Sequence, residues 1–287
     1  MSAPTPKIVV TGRIPESGIA LLRDAGTVWN WTSDDPLPAD VRRAELADAV
    51  AAVTLLSDRV DADFLGSAPE LQIVANVAVG YNNIDVEACT ARGVRVTNTP
   101  GVLTEATADL AIGLLLAVTR RLGEGERLIR SGTDWRWGMF MMLGSGLQGR
   151  RLGIVGLGGI GRAVAVRAQA FGMDVVYHNR SALEPAVERR LDTRWVPLEE
   201  LLATSDVVSL NCPYNDETHH LIDATALATM RPTAYLINTA RGAIVDEAAL
   251  VDALAGRKIA GAGLDIDVVV ADRHVGHDLQ VGCRPEE

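Results

Sequence analysis

"GIVGLGGIGRAVAVRAQAFG", Gly153 to Gly172, reads as a short apolar strand, a glycine-rich turn and the start of an alanine-rich helix. Within it, Gly156-x-Gly158-x-x-Gly161 sits directly between strand and helix, the context in which this spacing carries information. The first glycine permits a tight turn, the second lets the backbone approach a pyrophosphate, and the third packs the helix close to the strand. The helix N-terminus adds positive partial charge where a phosphate would lie. The turn therefore predicts a dinucleotide site over Gly156, Leu157, Gly158, Gly159, Ile160 and Gly161. A glycine turn that holds no ligand is the competing reading, and the flanking strand and helix weigh against it.

Working outward, "RLGIVG", "DVVYH", "VVSLN", "AYLINTA" and "IAGAGLD" read as strands from Arg151 onward, with helical stretches between them. Ahead of them "KIVVTG", "AVTLL", "QIVANV" and "VRVTN" form an earlier series, with helices over Glu16 to Asp24 and from about Asp85. Short continuous apolar strands alternating with helices indicate parallel sheets covered on both faces. The turn "NTPG", Asn98 to Gly101, separates the two series, and a long helix from about Thr104 to Leu122 reads as an interdomain connector. The expected fold is α/β, two doubly wound units in succession. The expected domains are 1–100, then 101–265 for the nucleotide-binding domain, and 266–287 for a tail in which the alternation stops.

Composition narrows the partners. With 287 residues, 48% of them hydrophobic, the chain can bury two cores. A net charge of −10 argues against nucleic acid or an acidic membrane surface as partner. The pairs Arg42-Arg43 and Arg189-Arg190 read as solvated helix faces. The most apolar run, Ala111 to Val118, is far shorter than the ~20 residues of a spanning helix, and the N-terminus has no secretion-signal pattern. Cys89, Cys212 and Cys283 are widely separated, odd in number and without metal spacing. A reduced, cytoplasmic setting without a bound metal is the expectation.

After "DVVYH", the residues Asn179-Arg180-Ser181 stand where an NAD site usually carries an acid for the ribose 2′-hydroxyl. Arg180 can instead pair with a 2′-phosphate, with Asn179 and Ser181 adding hydrogen bonds, or it is an ordinary surface arginine. The first reading makes NADP(H) the favoured cofactor, with NAD(H) possible. In "INTARGAIVDEAAL", Arg241 follows the C-terminal end of a buried strand, where ligands of open parallel sheets bind. Asp246 reads as the N-cap of the next helix. Arg241 suits a two-pronged hold on a carboxylate and polarisation of a neighbouring carbonyl, with a structural ion pair as the alternative.

Three long runs, "VANVAVGYNNIDVEACTARGVRVTNTPGVLTEATADLAIGLLLA", "LGIVGLGGIGRAVAVRAQAFGM" and "LINTARGAIVDEAALVDALAGRKIAGAGLD", resemble the D-isomer-specific 2-hydroxyacid dehydrogenases. Within that family they are most similar to glyoxylate/hydroxypyruvate reductases. The resemblance implies two Rossmann-like domains, the cofactor domain inserted in the substrate domain, and hydride transfer to a small 2-oxo acid. It implies a homodimer formed mainly through the cofactor domains, with Trp135 or Trp137 of "DWRWGMFMMLG" reaching the partner. It also implies site residues. Cys212, Pro213 and Thr218 of "NCPYNDET" would pass the cofactor, and Thr239, Ala240, Arg241 and Asp265 would line the nicotinamide side. The loop "LLSD", Leu55 to Asp58, and the amides of Val79 and Gly80 would face the substrate.

The same resemblance makes the tail unusual. Val270 occupies the place of the family's glutamate, and the expected histidine has one partial echo, His274 in "RHVGH". An impaired general acid, a non-catalytic dinucleotide-binding module of the same fold, and a shifted or truncated reading frame are the three expectations that follow. A polar tail also offers little apolar surface, which predicts lower stability than in longer relatives.

Overall fold

The computed structural model describes residues 5–265. The chain forms two compact units that meet in sequence between Leu103 and Thr104.

In the first unit, strands β1 (Lys7–Val10), β2 (Thr27–Asn30), β3 (Ala49–Thr54), β4 (Ile73–Asn76) and β5 (Arg95–Thr97) form one parallel sheet. Helices α1 (Glu16–Ala25), α2 (Ala39–Leu46), α3 (Ala62–Gly66) and α4 (Val86–Ala91) connect them. Successive strand residues face opposite sides of a sheet. Accordingly Val9, Ala52 and Val74 bury with Leu46, Phe64 and Leu65, while Ile8, Val10 and Val53 bury with Ile19. The strand order β2-β1-β3-β4-β5 reverses direction between β1 and β3. Such a reversal opens a crevice at the carboxyl ends of the two strands.

The second unit opens with α5 (Thr104–Thr119) and α6 (Leu122–Arg130). It continues as β6 (Arg151–Val155), α7 (Gly159–Ala170), β7 (Asp174–His178), α8 (Pro185–Leu191), β8 (Arg194–Trp195) and α9 (Leu198–Thr204). Then come β9 (Val207–Leu210), α10 (Ala224–Thr229), β10 (Tyr235–Asn238), a 3-10 turn over Gly242–Ile244, α11 (Glu247–Ala255) and β11 (Gly261–Leu264). All six strands are parallel, in the order β11-β10-β9-β6-β7-β8. The reversal here lies between β6 and β9, the dinucleotide-binding arrangement. Leu152, Ile154, Val175, Tyr177 and Ile237 bury on one face, and Val155, Val176, Val208 and Leu236 on the other. Truncating a side chain in such a core costs about 2–5 kcal/mol.

The α/β class with parallel sheets is as expected, and the differences have local causes. Edge strands β2 and β8 were not foreseen. Thr27–Asn30 is only partly buried and Arg194–Trp195 has just two residues, so neither carries the continuous apolar run of a central strand. Strand β3 begins at Ala49, three residues before the "AVTLL" run. The helix expected to run from Thr104 to Leu122 stops at Thr119, where the Ser145 N–H takes the Thr119 carbonyl at 2.8 Å and Arg121 turns left-handed at φ 55. Nor is α5 a bare connector: Ala108, Ala111, Ile112, Leu115 and Val118 form one helical face buried in the second unit's core. Arg42 is only partly solvated. Its guanidinium lies 5.7 Å from the Phe64 ring centre and meets Asp63 at 3.1 Å.

Candidate functional site

Because every strand of the second sheet runs the same way, the residues after β6, β7, β9, β10 and β11 lie along one edge. They are 156–161, 179–181, 211–213, 239–241 and Asp265. The three glycines differ in their surroundings. Gly156 has φ 96, and a Cβ there would sit 2.5 Å from the Cys212 nitrogen. A Cβ on Gly161 would overlap the Gly156 carbonyl oxygen. A Cβ on Gly158, the N-cap of α7, would meet nothing within 4 Å. Two glycines thus serve close packing, and the third leaves open space at a helix N-terminus, as an anion cradle requires.

The loop is braced from β7. Asn179 Oδ1 accepts from the Leu157 N–H at 2.7 Å, and the Gly156 N–H donates to the His178 carbonyl at 2.9 Å. Asn179 thus braces the loop through one lone pair of its oxygen, and its NH2 is not used in that bond. Gly159 and Ile160 begin α7. Arg180 and Ser181 are exposed, and the Arg180 guanidinium lies 3.4 Å from Glu217 Oε2.

Beyond β9, burial pushes the Cys212 thiol up to about 11, so this sulfur stays neutral at physiological pH. The Thr218 hydroxyl donates to the Pro213 carbonyl at 2.8 Å and accepts from the Asn215 N–H at 2.8 Å, closing the 213–218 turn on itself. Buried Asn211 Nδ2 and Thr239 Oγ1 have no hydrogen-bond partner among the described residues. Buried polar atoms rarely stay unpaired, so two at neighbouring strand ends fit a polar ligand.

After β10, Asn238 is fully buried and uses both ends of its amide on the turn that carries Arg241. Its Oδ1 accepts from the Ala240 N–H at 3.0 Å, and its Nδ2 donates to the Arg241 carbonyl at 2.9 Å. Asp265 is tied to the same strand by its N–H to the Asn238 carbonyl at 3.0 Å. The Arg241 side chain is half-buried and donates to the Ala240 carbonyl at 2.7 Å. Asp246 caps α11 by accepting from the Ala249 N–H, as expected.

In the first unit, Leu55, Val79 and Gly80 follow the carboxyl ends of β3 and β4. The Leu55 N–H donates to Asp58 Oδ2 at 2.6 Å, so it is committed within its own turn. Val79 and Gly80 differ. The Ala78 carbonyl accepts from the Thr99 N–H at 3.0 Å, and the Val79 carbonyl from Asn98 Nδ2 at 2.9 Å. In a trans peptide the N–H points opposite to the carbonyl. The next two N–H groups, of Val79 and Gly80, are thereby aimed the other way, and among the described residues they have no partner. Two adjacent donors of this kind suit a carboxylate.

The family model for the D-isomer specific 2-hydroxyacid dehydrogenase NAD-binding domain matches residues 112–272, more than half of the chain. The chain is 48% identical over 266 residues to the glyoxylate reductase of Thermococcus onnurineus, covering 91% of this chain and 79% of that protein. Among solved structures, a glyoxylate reductase from Paecilomyes thermophila superimposes with a TM-score of 0.84 at 33% identity, over 96% of this chain and 85% of that one. The NADPH-dependent glyoxylate/hydroxypyruvate reductase of Sinorhizobium meliloti, solved with NADP and malonate, gives 0.78 at 36% identity, covering 91% and 79%. The chain belongs to the D-isomer specific 2-hydroxyacid dehydrogenases.

This dehydrogenase has an NAD-binding domain of the family type, and its family is one of oxidoreductases acting on CH–OH donors. Val270 and His274, on which the reading of the tail rested, lie outside the described residues. Among the described residues there is no cluster of three metal-ligating side chains and no helix long and apolar enough to cross a membrane. Sequence reasoning missed Asn238, Asn211 and Glu217. The only signal was their position at a strand end or one residue past it, or in the same quoted loop as Cys212.

Proposed function

We propose that this dehydrogenase reduces a small 2-oxo acid of the glyoxylate or hydroxypyruvate type to the D-2-hydroxy acid, with NADPH preferred over NADH. The observation that carries this reading lies within the second unit: a guanidinium, Arg241, shares one sheet edge with an open-cradle glycine loop. The names of the similar reductases support it, and they lend nothing to impaired turnover or to a non-catalytic module. When bound, the cofactor supplies the hydride. Residues 156–161 would hold its pyrophosphate, while Arg180 and Ser181 would take the 2′-phosphate. Asn211, Thr239, Ala240 and Asp265 would contact the nicotinamide side. The first unit would serve as the substrate domain, its Val79 and Gly80 N–H groups holding the carboxylate. Arg241 would orient the 2-oxo acid and stabilise negative charge growing on its carbonyl oxygen. The direct test follows NADPH absorbance with glyoxylate and with hydroxypyruvate. No oxidation with either sinks the proposal.

Cofactor choice has its own test. Charge-assisted bonds to a phosphate are worth ~1.5–3 kcal/mol, so Arg180→Ala is expected to raise the KM for NADPH roughly 10–100-fold and leave that for NADH unchanged. Glu217→Gln removes the exposed partner that competes for Arg180, and it lowers the NADPH value a few-fold at most. Equal shifts for both cofactors in Arg180→Ala refute the preference.

We further propose a homodimer formed through the second unit, working in a reducing cytoplasm where Cys89 and Cys212 stay thiols. Leu122, Ile129, Trp135, Trp137, Met139 and Phe140 are all exposed within residues 122–140 of that unit, and large apolar side chains left in solvent favour an interaction surface when they gather in one patch. Sedimentation should give a dimer, shifted toward monomer by Ile129→Asp. A monomeric parent protein at micromolar concentration contradicts this.

A further inference from the structure

We propose that Asn83 is a positioning residue for the substrate carboxylate, acting by locking together the two turns that follow β3 and β4. This rests on the reading above that the Val79 and Gly80 N–H groups receive that carboxylate.

The side-chain amide of Asn83 works in two directions. Its Nδ2 donates to the Leu55 carbonyl at 3.2 Å and to the Asp58 carbonyl at 2.9 Å, gripping the 55–58 turn at both ends. It also pairs with the amide of Asn76, each Nδ2 lying 3.3 Å from the other's Oδ1. Asn76 is 2% exposed and passes the constraint on. Its Nδ2 donates to the Gly80 carbonyl at 2.9 Å, and its Oδ1 accepts from the Thr54 hydroxyl at 3.1 Å. One residue therefore ties the start and end of the first turn to the last residue of the second.

The backbone of Asn83 adds a further anchor. Its carbonyl accepts from the Val60 N–H at 2.9 Å, and the Asp85 N–H returns to the Val60 carbonyl at 2.8 Å, forming a parallel bridge between Val60 and Ile84. The first turn is also held from β1, because Asp58 Oδ2 accepts from the Thr11 hydroxyl at 2.5 Å. Thr11 and Leu55 follow β1 and β3, the strands between which the sheet order reverses. The whole assembly thus stands at the crevice that this topology creates.

Neither turn is regular structure, so neither fixes its own N–H directions. Binding geometry in such a site depends on the shell of hydrogen bonds behind the contacting groups. The consequence is a specific kinetic pattern. Loss of the Asn83 amide loosens the donors of the carboxylate, while the second unit and its cofactor loop are untouched.

The test is steady-state kinetics with glyoxylate and NADPH on Asn83→Ala, with Asn83→Ser as a milder variant should the alanine protein fail to fold. The expected result is a roughly 10-fold or greater rise in the KM for glyoxylate, with kcat and the KM for NADPH within about 3-fold of the parent. A residue that only stabilised the fold would lower the melting temperature or the active fraction without moving that KM. An unchanged KM for glyoxylate overturns the proposal. A Gly80→Pro control, which deletes one of the two N–H groups, separates the layers. If that control also leaves the KM unchanged, the carboxylate assignment fails. If it raises the KM while Asn83→Ala does not, the positioning role alone fails.

Discussion

An Arg241→Ala variant is expected to lose ~10²–10³-fold in kcat/KM for glyoxylate, the usual consequence of removing one preorganised donor from a developing oxyanion. The structure supports the backbone that carries this side chain. Asn238, fully buried, uses its oxygen on the Ala240 N–H and its nitrogen on the Arg241 carbonyl, so the backbone of the turn is held from beneath. The 3-10 turn at Gly242–Ile244 then fixes the chain on the other side. A turn held this way keeps the base of the side chain in place when charge grows on the substrate. Arg241→Lys should recover little, because an ammonium on a flexible stem cannot reproduce the planar, rigid fork of donors that a guanidinium presents. The loss should also be flat between about pH 5 and 9, since a guanidinium stays protonated throughout. If the residue were a structural ion-pair partner instead, stability would fall and the kinetic constants of the folded fraction would not. Equal kcat/KM values for variant and parent remove Arg241 from the mechanism.

How much of this was legible depended on whether a residue's role was local. The buried central strands announce themselves through unbroken apolar runs such as "RLGIV", and the glycine loop through strand, spacing and helix together. Edge strands β2 and β8 do not, since one flank of each faces no neighbour and burial is partial. The end of α5 was invisible for another reason: the Ser145 N–H that takes the Thr119 carbonyl comes from 26 positions away in the chain, a contact no local pattern encodes. The polar braces fall in the same class. Asn83 meets Leu55 and Asp58 across separations of 28 and 25 residues, and Asn179 meets Leu157 across 22. A lone asparagine in a loop reads as a turn former, and only the fold reveals which backbone group it satisfies.

The glycine loop yields the second large effect, as a contrast between two neighbouring substitutions. Gly158→Ala is expected to fold almost as well as the parent. Position 158 has φ −82 and ψ −155, values open to any residue, and its Cβ would meet no protein atom within 4 Å. The stability change should stay within about 1 kcal/mol, the difference between the two residues at an N-cap. The same methyl group would stand where the pyrophosphate must approach the backbone, so the Kd for NADPH should rise on the order of 100-fold. Gly161→Ala should fail in the opposite way. Its Cβ would overlap the Gly156 carbonyl oxygen and press on Ile154 Cγ2 at 3.2 Å, so α7 must move off β6. Overpacking of that kind costs about 1–3 kcal/mol or more, with a corresponding fall in melting temperature. Calorimetric titration with NADPH, beside thermal melts of both variants, separates the two outcomes. A Gly158→Ala protein that binds NADPH as tightly as the parent places the cofactor elsewhere, because no pyrophosphate seated on this helix terminus can tolerate the added carbon.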